Sequence, residues 1–176
     1  MSAAALHPTH VPGRVLLHPV SVTALAVWLV NDHVFKALWP GHLIVGKLSD
    51  VASLIAFPLL ALAAYEWLGF LLRRRWDGWP VLVVGCAATA FVMGTINVFP
   101  AAADFYETGL GAAQWPFQAV AAVANGHGLP NLRPVQLWMD ATDLLTLPCV
   151  AVPLYLGWRA RRALGGDGPH RYAPIP

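Results

Sequence analysis

Charge is scarce in this chain. Asp, Glu, Lys and Arg make up 11% of its 176 residues, against about 25% in an ordinary soluble domain. A soluble domain of this size would need more charge to cover its surface, whereas helices facing lipid need little. The formal net charge of +2 is too small to point to nucleic acid, and no nucleic-acid partner is expected. Cysteine is nearly absent as well. Cys86 and Cys149 fall inside apolar runs and form no CxxC or Cys/His spacing, so they read as small packing residues. Met1–Pro12 contains no Lys or Arg, and no small-residue cleavage site follows the first apolar run. That run is therefore expected to remain as an anchor. A Ser/His/Asp order, a phosphate loop and a dinucleotide fingerprint are all missing.

What is abundant is apolar sequence, 57% of the chain, above the roughly 45–50% usual for soluble domains. A bilayer core of about 30 Å takes about 20 helical residues. Four runs reach that length, at about 19–39, 43–72, 80–98 and 135–158. Pro19 suits a first helical turn, Pro40-Gly41 ends the first run, and Pro100 closes the third. The start of the second run is open, because Gly46-Lys47-Leu48-Ser49-Asp50 interrupts it. Pro58, Pro148 and Pro153 lie inside spans and should kink helices rather than end them. The expected fold is all-α: a single membrane domain, a four-helix bundle, with a long outer loop at about 101–134 and a mobile tail at 165–176. The loop holds Asp104, Tyr106, Glu107, Trp115 and Phe117, and a short interfacial helix is expected at Gln114–Ala124.

Orientation follows from the basic residues. Arg14 precedes the first run, Arg73, Arg74 and Arg75 follow the second, and Arg159, Arg161 and Arg162 follow the fourth. With alternating helices these share one side, expected to be the cytoplasm, so both termini are expected there. Lys36, Lys47 and Arg133 fall on the other side. Trp67, Trp76, Trp79 and Trp158 then sit near the inner interface, and Trp39, Trp115 and Trp138 near the outer one. Glu66, near the inner end of the second run, is expected to reach toward Arg73.

Polar residues inside the runs collect in the outer half: Asn31, Asp32, His33 and Lys36, then Lys47, Ser49 and Asp50, then Asn97, then Asp140 and Asp143. Asp32 lies eight residues before Pro40 and Asp50 nine after Gly41, which puts both carboxylates about 12–14 Å below the turn at 1.5 Å per residue. Asp143 lies nine residues after Pro134, at a similar depth if the helix starts there. Asp32 and Lys36 (i,i+4), Lys47 and Asp50 (i,i+3), and Asp140 and Asp143 (i,i+3) each share a helix face. The four aspartates and two lysines leave a surplus of two negative charges with His33 neutral. Desolvating a bare carboxylate costs several kcal/mol, so protonation, water or a divalent cation must offset it. Asp50, Asp140, Asp143 and His33 are the candidate metal ligands. Asp32, His33, Asp50 and Asp143 are the candidate catalytic groups, with Asn31, Lys36, Lys47, Ser49 and Asn97 in support. Each has a simpler reading: Asp50 as a helix cap, Asp32 with Lys36 as one ion pair, Asp140 as a first-turn carboxylate favoured by the helix dipole.

Asn31-Asp32-His33, Gly46-Lys47-Leu48-Ser49-Asp50 and Asp140-Ala141-Thr142-Asp143-Leu144 together resemble a family of small bacterial four-helix inner-membrane proteins of uncharacterised function. The resemblance covers about residues 19–153 and implies a multi-pass helical protein of the cell inner membrane, with no activity attached. The Gly46–Asp50 stretch also resembles a loop of major-facilitator transporters, but Val51-Ala52-Ser53-Leu54 stands where basic residues belong, and the chain is far too short. Three functions compete: a metal-assisted hydrolase or transferase acting on lipid, a proton or cation transport component, and an accessory or structural membrane subunit. The lipid bilayer is the expected partner, with a membrane protein or a second copy of the chain as further candidates.

Overall fold

The computed structural model describes residues 11–74 and 77–163. Arg75, Trp76, the tail at 165–176 and residues 1–10 lie outside the described residues. Among those residues there is helix and no strand. Three helices are long and apolar enough to cross a membrane: Leu43–Leu71, Gly78–Val98 and Ala141–Arg162. The chain forms two compact units, one made of residues up to Ala90 together with those from Thr146, the other of Phe91–Leu145.

The first unit begins with a short 3-10 turn, Arg14–Leu17, and then α1, Pro19–Val30. Pro19 opens α1, where its missing N–H costs nothing, and the His18 ring accepts the N–H of Val20 at 3.3 Å. α1 does not run straight to the hairpin. Asn31–Phe35 forms a π-turn and Lys36–Leu38 resumes α-helix. The expected first span is thus three joined pieces of 12, 5 and 3 residues. Trp39-Pro40-Gly41-His42 reverses the chain, with the His42 N–H on the Trp39 carbonyl at 3.2 Å and Gly41 at φ +74°. Proline second and a positive-φ glycine third is the pattern of a type II turn, which a residue with a Cβ would strain.

α2, Leu43–Leu71, is 29 residues long and runs unbroken through Gly46–Asp50. This settles where the second run starts and removes the reading of Asp50 as a helix cap. α2 is the central helix of its unit. It buries Ala52, Leu54, Ile55, Ala56, Leu59, Leu62 and Ala63, which lie on more than one face. α3 is Gly78–Val98, and the last helix, α5, is Ala151–Ala163. The core of the unit joins all four helices: Ala24 from α1, Ile55, Leu59 and Leu62 from α2, Leu82 and Cys86 from α3, and Leu156 from α5. Cys86 and Cys149 are free thiols. At one end of this unit the Gly13 N–H donates to Glu66 Oε2 at 2.7 Å, Arg161 lies 3.9 Å from Asp77, and its guanidinium sits over the Trp79 ring. The start of α1, the end of α2, the start of α3 and the end of α5 therefore gather at one end. Glu66 thereby acts as an anchor for the turn before α1.

The second unit departs most from expectation. Phe99 alone separates α3 from α4, Pro100–Ala124. It is extended (φ −113°, ψ 113°), because proline disfavours helical geometry in the residue before it. The region expected as a loop with a short helix at Gln114–Ala124 is instead a 25-residue helix that carries Pro116 inside it. Its end is closed by hydrogen bonds from Gly126 N to Val123 O and from His127 N to Ala122 O, the Schellman pattern. The chain then returns along α4 as an extended strap, and helix resumes only at Ala141 as a 3-10 run, Ala141–Val150. The helix expected from about Val135 is absent up to Asp140. Pro130 and Pro134 disfavour it, and the strap's N–H groups find partners on α4 instead.

Candidate functional site

The hairpin of α1 and α2 holds the clearest polar cluster. In the π-turn the Lys36 N–H reaches back five residues to the Asn31 carbonyl. This wide turn places Asn31 and Asp32 at the mouth of the hairpin. π-turns within α-helices occur frequently at functional sites. Lys36 Nζ lies 2.7 Å from Asp32 Oδ1. Ser49 Oγ, from α2, donates to the same oxygen at 2.7 Å, and Lys36 Nζ donates to Ser49 Oγ at 3.2 Å. Asn31 Nδ2 donates to the Val45 carbonyl at 2.8 Å. Asn31 is fully buried, and its Oδ1 has no hydrogen-bond donor among the described residues.

Chemically this is a charge-neutral loop. Both lone pairs of Asp32 Oδ1 are taken, one by an ammonium and one by a hydroxyl. The single Ser49 hydrogen is committed to Asp32, and Lys36 donates to the Ser49 oxygen. The Lys36 and Asp32 side chains are 49% and 31% exposed, so the loop opens at one edge, while Ser49 is buried. The simpler reading of Asp32 with Lys36 as an ion pair holds, and Ser49 extends it across to the second helix. Asp50 stands one residue beyond Ser49, about 100° further round α2. His33 is exposed and lies beside this network without a hydrogen bond among the described residues.

Asp140 and Asp143 belong to the second unit, and both occupy the beginning of a helix. Asp140 Oδ1 accepts from Thr142 N at 2.8 Å and from Thr142 Oγ1 at 2.7 Å, and the Asp143 N–H donates to the Asp140 carbonyl at 2.9 Å. This makes Asp140 the cap of the 3-10 run, just ahead of the first turn in which its simpler reading placed it. Asp143 lies in the first turn, so the depth inferred by counting from Pro134 is replaced by a position at the helix mouth. Asn97, at the end of α3, accepts the Asp140 N–H through Oδ1 at 3.1 Å and donates to its own helix at Met93 O. Among the described residues, no group of three or more His, Cys, Asp or Glu side chains is gathered as a metal ion would need.

Sequence reasoning missed the π-turn, the Asn31–Val45 bond and the strap contacts. No sequence signal pointed to the strap, whose contacts are tertiary. Glu107 accepts the Leu137 N–H on Oε1 at 2.7 Å and the Val135 N–H on its carbonyl at 3.1 Å. Trp115 Nε1 donates to the Pro130 carbonyl at 2.8 Å. No family model matches the chain, and neither a curated protein nor a solved structure matches it.

Proposed function

We propose that the chain is a multi-pass subunit of a bacterial inner membrane, with four spans and both termini in the cytoplasm, and that it acts as an accessory or structural component. The hairpin network serves as a polar lock between its first two helices. The observation that carries this reading is the closed loop at Asp32, whose Oδ1 is consumed by Lys36 and Ser49, each at 2.7 Å. A catalytic or ion-carrying carboxylate needs lone pairs directed at its substrate. This one directs both lone pairs of Oδ1 at its own hairpin, and lipid offers no competing partners. A second reading, proton or cation passage at the hairpin mouth, is favoured by one observation: the buried Asn31 Oδ1, an acceptor at 0% exposure with no donor among the described residues.

A double-mutant cycle separates the two. Asp32→Asn and Lys36→Met are each expected to lower the unfolding stability of the purified protein, by about 1–3 kcal/mol where a partner is left unpaired. The double variant is expected to lose less than the two singles combined, with a coupling of at least about 0.5 kcal/mol. Additive losses, together with proton or cation flux in proteoliposomes that each single variant abolishes, would replace the lock with the transport reading.

A further inference from the structure

We propose that α4 lies in the plane of the membrane–water interface and that its outward face is a lipid-docking surface. The helix is two-sided along its whole length. Asp104, Glu107, Gln114 and Gln118, together with Gly111, step along one side at spacings of three and four. Ala101, Phe105, Gly109, Ala112, Pro116, Val120 and Val123 step along the other in the same way. The polar side is partly occupied already: the strap seats its backbone on Glu107 and Gly111. Among the described residues nothing covers the apolar side. Phe105 is 82% exposed and Val120 71%, and Phe117, at the edge of this side, 78%.

Four observations identify the occupant as lipid. The helix starts at Pro100, directly after α3, a membrane-crossing helix by length and composition, so it begins at a membrane surface. Its 25 residues reach about 37 Å. Crossing the bilayer would carry the stripe of Asp104, Glu107, Gln114 and Gln118 through about 30 Å of hydrocarbon, whereas lying flat keeps all four at one level. Pro116 gives no N–H to the Ala112 carbonyl, and both residues are exposed with no neighbouring helix over them among the described residues, so interfacial water can satisfy that carbonyl where the bilayer core cannot. Finally, Phe99 and Trp138, both beside the start of α4, are 58% and 84% exposed, and aromatic side chains concentrate at the interface where the helix begins. Residues 100–132 contain no Lys or Arg, so docking here rests on apolar burial and not on attraction to anionic lipid.

The test uses the full chain in phosphatidylcholine vesicles. An environment-sensitive fluorophore is placed at Phe105→Cys, Phe117→Cys, Val120→Cys or Gln114→Cys, with Cys86 and Cys149 replaced by alanine. Spin-labelled lipid is expected to quench positions 105, 117 and 120 similarly, more strongly with the label near the lipid carbonyl than near the chain end. Position 114 is expected to be quenched from water. Adding anionic lipid should change none of these. A graded depth from 105 to 120 would mean that α4 crosses, and quenching of all positions from water would mean that lipid does not cover the face. Either result overturns the proposal. Photocrosslinking from benzoylphenylalanine at Phe105 or Phe117, in a chain that keeps both cysteines, gives an independent readout: lipid adducts support the proposal, and adducts to protein alone reject it.

Discussion

Gly111 and Gly109 sit two residues apart in α4 and should respond oppositely to the same change. A Cβ on Gly111 would overlap the Arg133 carbonyl oxygen and stand 3.0 Å from Pro134 Cα, both backbone atoms of the strap. At Gly109 nothing lies within 4 Å. Replacing a helical glycine by alanine gains about 1 kcal/mol of propensity at either site, but overpacking against rigid backbone costs about 1–3 kcal/mol. Gly109→Ala is therefore expected to raise the melting temperature in detergent, and Gly111→Ala to leave it unchanged or lower it and to speed protease cleavage within 128–140. Equal gains at both sites would show that the strap does not rest on α4. At this scale the sequence was informative about which residues matter and less so about whom they meet. Asp32 with Lys36 was legible because i,i+4 spacing sets a contact within one helix. Ser49 as their third partner was not, because that contact depends on how far the π-turn rotates α1 against α2.

The strap shows why an element can be misread when every local cue is sound. Residues 101–134 lack the hydropathy of a span and contain three prolines, Pro116, Pro130 and Pro134, which in isolation read as a loop. Pro116 nonetheless sits inside a helix, on its exposed side, while the docked side is made continuous by Ala103, Gly111 and Ala119. The extended return is possible because α4 provides acceptors for it. Glu107 holds two consecutive odd-numbered strap amides, those of Val135 and Leu137, through its carbonyl and its carboxylate. Glu107→Gln keeps an acceptor in place and is expected to be nearly neutral. Glu107→Leu leaves the Leu137 N–H without one, at a cost of about 1–3 kcal/mol, and hydrogen exchange at Leu137 should then accelerate while Val135 is less affected. Unchanged exchange at Leu137 would show that the carboxylate is not what holds the strap. By contrast, α2 and α3 were legible nearly to their ends, since long apolar runs between Pro40-Gly41, the Arg73 cluster and Pro100 leave few alternatives. The fourth run was displaced at its start because Val135–Asp140, apolar enough for helix, is held extended by tertiary hydrogen bonds.

For the whole molecule, the gathering of helix ends in the first unit constrains the path through a bilayer. The contacts of Gly13 with Glu66 and of Arg161 with Asp77 and Trp79 place the start of α1 and the end of α5 at the same end. On the proposed four-span reading, an even number of crossings lies between them. α2, α3 and the Ala141–Arg162 helix supply three; the joined pieces from Pro19 to Leu38 are the remaining candidate for the fourth. Arg14, Arg73, Arg74, Arg159, Arg161 and Arg162 all flank this shared end, whereas Lys36 and Lys47 do not, and the proposed orientation, with this end in the cytoplasm, rests on that distribution. On the same reading residues 99–140 begin and end on one side, as an in-plane α4 and its strap require. A reporter enzyme that is active only outside the cytoplasm is therefore expected to be silent when fused after Leu72 or Arg162 and active when fused after Asn125. Activity after Leu72 and silence after Asn125 would invert the orientation while keeping the parity. Opposite signals from Leu72 and Arg162 would break the parity itself, and α1 would then have to be withdrawn as a span.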